Sequence, residues 1–373
     1  MDNTMKWIVG IIILVAVIWF GYSSFNKGNE NDGPIKVGIL APLSGEAASW
    51  GENFLAGAEL AKKEINDAGG VDGRMIEFVI EDDQCDSTAG VSAINKLINI
   101  DKVDVIAGPV CSSVGGPVLP IVQEKGIPSI ILASAPDLTA IGDYIFRTYP
   151  SDSFQGKFGA DYVFNDLGKK KVAIIYVKND WGQGLDGSFI KRFEELGGQI
   201  VYNEGISQDT NDLRTQIGKV KASEAEILYF LGYPGNAVAG LKQMKDLALG
   251  IPVLGADALA GEEVVSSAGA EGMMYTVGKF DKPEDFVQKI KTLPGKENME
   301  VNNVAPIGYD TIKAFEGAMK IAGTNKEDIK TALSKLSIPG ISTPTIEFDE
   351  VGDLKTTQAN VMIIKGGKAE VLK

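Results

Sequence analysis

Ser112 and Ser113 lie in the segment Gly108-Pro109-Val110-Cys111-Ser112-Ser113, between an apolar run, Val103–Ala107, and a helical pattern. Free backbone N–H groups and the positive end of a helix dipole favour an anion at such a place, and the two hydroxyls add donors. Ser134, in Ala133-Ser134-Ala135 after the run Ser129–Leu132, is a further hydroxyl at a neighbouring strand end. Together these groups could hold a carboxylate; helix capping by serine is the plainer reading. Asp257, after the run Val253–Gly255, has the opposite character. It can accept hydrogen bonds from an ammonium group, or simply close a turn. Trp50 opens the first helical pattern, and Trp181 and Tyr233 each follow a strand-type run. Such aromatics pack as core or line a pocket, and three in equivalent positions favour the pocket.

Other chemistry is limited by what is missing. The chain has no histidine, which removes Ser-His-Asp triads, Cys-His pairs, HExxH zinc sites and histidine bases. No P-loop or GxSxG elbow occurs, and we expect a binding protein rather than an enzyme. Gly182, Gly184 and Gly187 match GxGxxG, with Glu204 beyond them. However, Lys178-Asn179-Asp180-Trp181 separates the preceding strand from the first glycine, whereas a dinucleotide turn needs that glycine at once. No cofactor is therefore expected. Asp82, Asp83 and Asp86 read as a solvated acidic loop, and no metal is expected. Cys85 and Cys111 are too far apart for CxxC and too few for structural zinc. Outside the cytoplasm they could close a loop of roughly 25 residues, worth about 3–4 kcal/mol; the alternative is two buried thiols. The net charge of −14 opposes binding to a phosphate backbone, so nucleic acid is not an expected partner.

Residues 7–25 carry no charge. As a helix they rise about 28 Å, close to the ~30 Å of a bilayer core. We read them as a transmembrane anchor that holds the rest outside the cytoplasm; the alternative is a signal peptide cleaved near Gly21-Tyr22-Ser23. Residues 26–34 read as a flexible linker.

Beyond the linker, strand-type runs (Ile35–Ala41, Met75–Glu81, Val103–Ala107, Ser129–Leu132) alternate with helical patterns (Trp50–Ala68, Thr88–Ile100, Val114–Lys125). The alternation restarts with a helix at Ser153–Leu167. Strands follow at Lys171–Val177, Ile200–Asn203, Ile227–Leu231 and Val253–Gly255, with helices at Gly187–Leu196, Asp212–Ala222 and Ala237–Leu249. Later helices are expected at Phe286–Leu293, Tyr309–Ala322 and Lys326–Leu336, and strands at Ile346–Phe348 and Asn360–Ile364. This order predicts an α/β chain with two doubly wound parallel-sheet lobes and helices on both faces. We assign residues 35–149 and 279–340 to the first lobe, and 150–278 and 341–373 to the second.

The set of landmarks is specific in order and spacing. It comprises Pro42-Leu43-Ser44-Gly45 with Trp50-Gly51, Gly69-Gly70-Val71-Asp72-Gly73, Asp82-Asp83-Gln84-Cys85-Asp86, Gly108 to Ser113, and Arg147-Thr148 with Gln155-Gly156. From Ile35 to Lys373 the chain resembles the type I periplasmic-binding-protein family, especially the leucine, isoleucine and valine binding proteins of ABC importers. The resemblance implies two lobes, joined by three crossovers, that close on an amino-acid-like ligand. It implies a disulfide between Cys85 and Cys111, and Ser112 and Ser134 on the ligand carboxylate. It places the Ala133 carbonyl and the Asp257 carboxylate on the ammonium, and Trp50, Trp181 and Tyr233 around the side chain. The implied partner is a membrane permease, and the implied state a monomer. Ser134 stands where threonine is usual and Trp181 where tyrosine is usual, so the ligand side chain is left open.

Overall fold

The computed structural model describes residues 33–45 and 47–373. The expected anchor at residues 7–25, and the expected linker apart from its last two residues, lie outside them. Among the described residues no helix is long and apolar enough to cross a membrane.

Two large sheets organise the chain. The first holds β1 (Ile35–Ala41), β2 (Ile76–Asp82), β3 (Val105–Ala107), β4 (Ser129–Ile131) and β5 (Ile145–Arg147), all parallel, in the order β2-β1-β3-β4-β5. The second is built on β6 (Lys171–Val177), β7 (Gln199–Ile206), β8 (Ile227–Leu231), β9 (Val253–Gly255) and β10 (Met274–Gly278), also parallel. A short antiparallel pair, β11 (Ser337–Ile338) and β12 (Ile346–Glu347), comes next in the chain. Then β13 (Ala359–Lys365) and β14 (Lys368–Val371) join the second sheet as an antiparallel edge, giving the order β14-β13-β10-β9-β8-β6-β7.

The strand β1 illustrates why continuous apolar runs mark these sheets. Ile35, Val37, Ile39 and Ala41 enter one core, and Leu40 enters the core on the opposite face. The helices Ala48–Asp67 and Val304–Ala322 cover the first face, and Ser87–Lys96 and Ser112–Glu124 the other. Both faces are dry, so no polar alternation is needed. The second lobe has its own core, where β6 and β8 pack against Phe189 and Phe193.

The helices Ala48–Asp67 and Val304–Ala322 cross at backbone contact. A Cβ on Gly57 would fall 1.7 Å from the Ala305 carbonyl oxygen, and one on Gly308 would fall 2.1 Å from that of Phe54. This glycine crossing draws a late helix into the first lobe. The chain passes between the lobes near residues 149–151, 279–280 and 355–358. At the last two passages the strands run side by side, with Lys279 N donating to the Gln358 carbonyl at 2.8 Å.

One boundary differs from expectation. Residues 341–354 belong to the first lobe, not the second. Ile346, Phe348 and Leu354 are buried in the first core, and Ser342 N donates to Asp310 Oδ2 at 2.7 Å. Apolar stretches this short do not disclose which core they enter. The helix expected from Gly187 starts earlier, at Asp180. Asn179 caps it, its Oδ1 accepting from Gly182 N at 3.0 Å, and this cap overrides the poor helix propensity of Gly182 and Gly184. The helix expected from Tyr309 starts at Val304; Pro306 lies in its first turn, where an absent N–H breaks no intrahelical bond.

Candidate ligand-binding cleft

The carboxyl ends of β3, β4, β8 and β9 meet across the space between the lobes. They border one small cavity lined from both lobes. Trp50, Ser112, Ser134 and Tyr149 line it from the first lobe and the first passage; Trp181, Tyr233 and Asp257 line it from the second. Six of the seven ligand residues singled out from the sequence therefore share one cavity. Ala133 is not among its lining residues: its carbonyl faces Arg147, whose Nη1 donates to it at 3.2 Å.

Ser112 is the first residue of the helix Ser112–Glu124. Its Oγ accepts from Ser134 N and Ala135 N, each at 3.0 Å. Both hydroxyl lone pairs are thus engaged, and the hydroxyl proton is available to an acceptor in the cavity. The helix N-terminus adds its positive dipole end at the same wall. Ser113 does not take part: its Oγ donates to the Cys85 carbonyl at 3.0 Å.

Asp257 follows β9 and opens a short 3₁₀ turn. It is 2 % exposed. Oδ2 accepts from the Tyr149 hydroxyl at 2.6 Å, and Oδ1 accepts from Ala258 N at 3.1 Å. Burial raises its pKa above the ordinary carboxylate value, against the bonds from Tyr149 and Ala258, which lower it. An ammonium group in the cavity would supply the missing countercharge.

The remaining walls are flat and largely apolar. Trp181 and Tyr233 stack at 5.1 Å and 21°, and Asn179 Nδ2 donates to the Tyr233 hydroxyl at 3.1 Å. Trp50 tilts against Tyr149 at 6.0 Å. Cys85 and Cys111 form a disulfide with Cα atoms 5.5 Å apart, and Cys111 itself lines the cavity.

Several residues here carried no role in the sequence reading. Tyr149 orients Asp257. Asp152, wholly buried at the start of the helix Asp152–Asp161, has neither side-chain oxygen hydrogen-bonded. Burial, then the neighbouring Asp257 charge, pushes its pKa well up. Arg147 is 0 % exposed; it donates to the Ala133, Ala135 and Pro136 carbonyls and pairs with Asp353. It thereby fixes the loop that carries Ser134. The landmark Arg147-Thr148 with Gln155-Gly156 was the available signal, but it named no function.

The GxGxxG glycines lie inside the helix Asp180–Glu195 rather than in a phosphate loop. Glu204 is occupied by Tyr202, Gln216 and Lys219. The acidic loop departs from expectation in one respect: Asp83 is fully buried, not solvated. Among the described residues no cluster of potential metal ligands is found.

This architecture, two α/β lobes with a cavity lined from both, defines a class rather than a single protein. The family pattern for the periplasmic binding proteins matches residues 34–368, and the chain belongs to that family. A leucine-, isoleucine-, valine-, threonine- and alanine-binding protein of Pseudomonas aeruginosa is 31% identical over 353 residues, covering 92% of each chain. The Leu/Ile/Val-binding protein of Escherichia coli is 29% identical, covering 93% of this chain and 94% of that one. Among solved structures, a leucine-binding protein of Thermotoga maritima superposes with a TM-score of 0.83 at 25% identity, covering 91% of this chain and 98% of that one. A branched-chain amino-acid binding protein of Streptococcus pneumoniae, in complex with isoleucine, gives 0.81 at 29% identity, covering 91% and 99%.

Proposed function

We propose that this chain captures a branched-chain or similar apolar amino acid outside the cytoplasm and delivers it to the permease of an ABC importer. The observation that carries the reading is the pairing of opposite chemistry across the cavity. The Ser112 hydroxyl, with a proton to give, faces it from one lobe, and the buried Asp257 carboxylate faces it from the other. Ser112, Ser134 and the helix N-terminus hold the ligand carboxylate, and Asp257, set by Tyr149, holds the ammonium. Trp50, Trp181 and Tyr233 enclose the side chain. A ligand gripped from both sides favours the closed arrangement, which is the form a permease can recognise. The relatives that bind leucine, isoleucine and valine support this ligand class. In this reading the uncharged run at residues 7–25 tethers a monomeric binding unit to the membrane.

Calorimetry with leucine, isoleucine and valine tests the proposal. One equivalent should bind with micromolar or tighter affinity, about −8 kcal/mol or better. A panel of the twenty amino acids without heat or thermal shift would reject it. Recovery of the full-length chain in the salt-washed membrane fraction tests the tether.

A further inference from the structure

Gly184 lies on the helix Asp180–Glu195 of the second lobe, against Pro136 in the loop that follows β4 of the first. A Cβ on Gly184 would stand 2.6 Å from Pro136 Cδ, closer than real Cβ atoms come. One turn earlier on that helix, Asp180 reaches the helix Ser112–Glu124, and a Cβ on Gly116 would stand 2.8 Å from its Oδ2. These two helices touch along the cleft rim. The two contacts are not equivalent. Asp180 is exposed and can turn aside, whereas the pyrrolidine ring of Pro136 is fixed to its backbone. Nor does the local backbone require glycine at 184, since Gly184 is not among the residues of positive φ. Glycine weakens a helix relative to alanine, and at 184 the contact across the rim leaves no room for a methyl group.

We propose that Gly184 and Pro136 form the seam that lets the lobes seal over the ligand. With no side chain at 184, the second lobe seats directly on the proline ring and the cavity closes. A side chain at 184 wedges the rim open. This deepens the capture-and-closure reading and rests on it.

The test is a double-mutant cycle in the full chain, with leucine as titrant: wild type, Gly184→Ala, Pro136→Ala and both together. Gly184→Ala should weaken leucine binding about tenfold or more, the scale expected of overpacking. Adding Pro136→Ala should bring affinity back to within a few-fold of Pro136→Ala alone. Gly187→Ala, on the same helix where a Cβ would meet nothing within 4 Å, should bind as wild type does. Unchanged affinity in Gly184→Ala, or a loss that Pro136→Ala does not relieve, overturns the seam. Small-angle scattering keeps this failure separate from failure of the capture reading. If the wild type takes up no amino acid, the capture reading falls by itself. A Gly184→Phe chain as compact as the wild type then overturns the seam independently.

Discussion

The Tyr149 hydroxyl donates to Asp257 Oδ2 at 2.6 Å, linking the first passage between the lobes to the end of a second-lobe strand. Asp257 is almost wholly buried, and the bond turns its carboxylate into a fixed acceptor in the cavity wall. Asp257→Asn keeps the shape but removes the charge, so leucine affinity should fall at least about tenfold while the fold survives, since charge-assisted bonds are the stronger kind. Tyr149→Phe should cost less, because the charge remains and only its orientation loosens. Calorimetry on both variants checks the order; equal affinity for Asp257→Asn and wild type would remove Asp257 from the site.

Ser112 joins two roles in one oxygen. Its Oγ accepts from two backbone N–H groups of the loop carrying Ser134. Ser112→Ala leaves those donors without that acceptor, which costs about 1–3 kcal/mol of stability, and also deletes a hydroxyl donor from the cavity wall. Urea unfolding and leucine titration should therefore both deteriorate. Ser113→Ala should leave leucine affinity within a few-fold of wild type, because that hydroxyl points to the Cys85 carbonyl. Equal losses in the two variants would contradict the geometry.

Much of the fold is legible in the sequence because its strands are buried on both faces. Ile35–Ala41, Lys171–Val177, Ile227–Leu231 and Val253–Gly255 are bounded in the structure as their apolar runs suggest. That Ser112, Ser134 and Asp257 share one cavity is legible for the same reason: each lies just beyond the carboxyl end of such a strand. Tyr149 and Asp152 are not, since the passage between lobes has no periodicity, and Asp152 reads as an ordinary first-turn acid. The pairing of Gly57 with Ala305 is also invisible from sequence, because a glycine shows freedom of backbone but not the partner that requires it. That contact decides where the C-terminal helices go.

Three buried carboxyls outside the cleft join Asp152 and Asp257 in favouring the folded state at acid pH. Burial raises Asp83 to about 7, against the bond from Cys85 N, and raises Asp186 and Asp310 to about 6 each. In the unfolded chain these groups ionise near the ordinary aspartate value. The folded state therefore holds protons that the unfolded state releases. Their stabilising contribution is complete below pH ~4 and is lost as pH rises to about 7. The ligand-free melting temperature should be higher at pH 5 than at pH 8. Asp83→Asn should flatten much of that slope, at most about 4 kcal/mol by linkage. A midpoint that rises from pH 5 to pH 8, or an unchanged slope in Asp83→Asn, would contradict this account.

The disulfide should matter to binding as well as to stability. Its second half, Cys111, lines the cavity and immediately precedes Ser112. Replacing both cysteines by serine releases a loop of 26 residues in sequence separation, which on the chain-entropy model costs about 3–4 kcal/mol. A crosslink that acted only through the unfolded chain would lower the melting temperature and leave leucine affinity alone. Here the bond also anchors the residue before the helix whose first hydroxyl lines the cavity, and Ser113 Oγ reinforces it by donating to the Cys85 carbonyl. The double-serine chain should thus melt earlier and also bind leucine several-fold more weakly at a temperature where it is fully folded. Melting curves and calorimetry on the same preparation, with and without reductant for the wild type, measure both. A lower midpoint with unaltered affinity would confine the disulfide to the unfolded state.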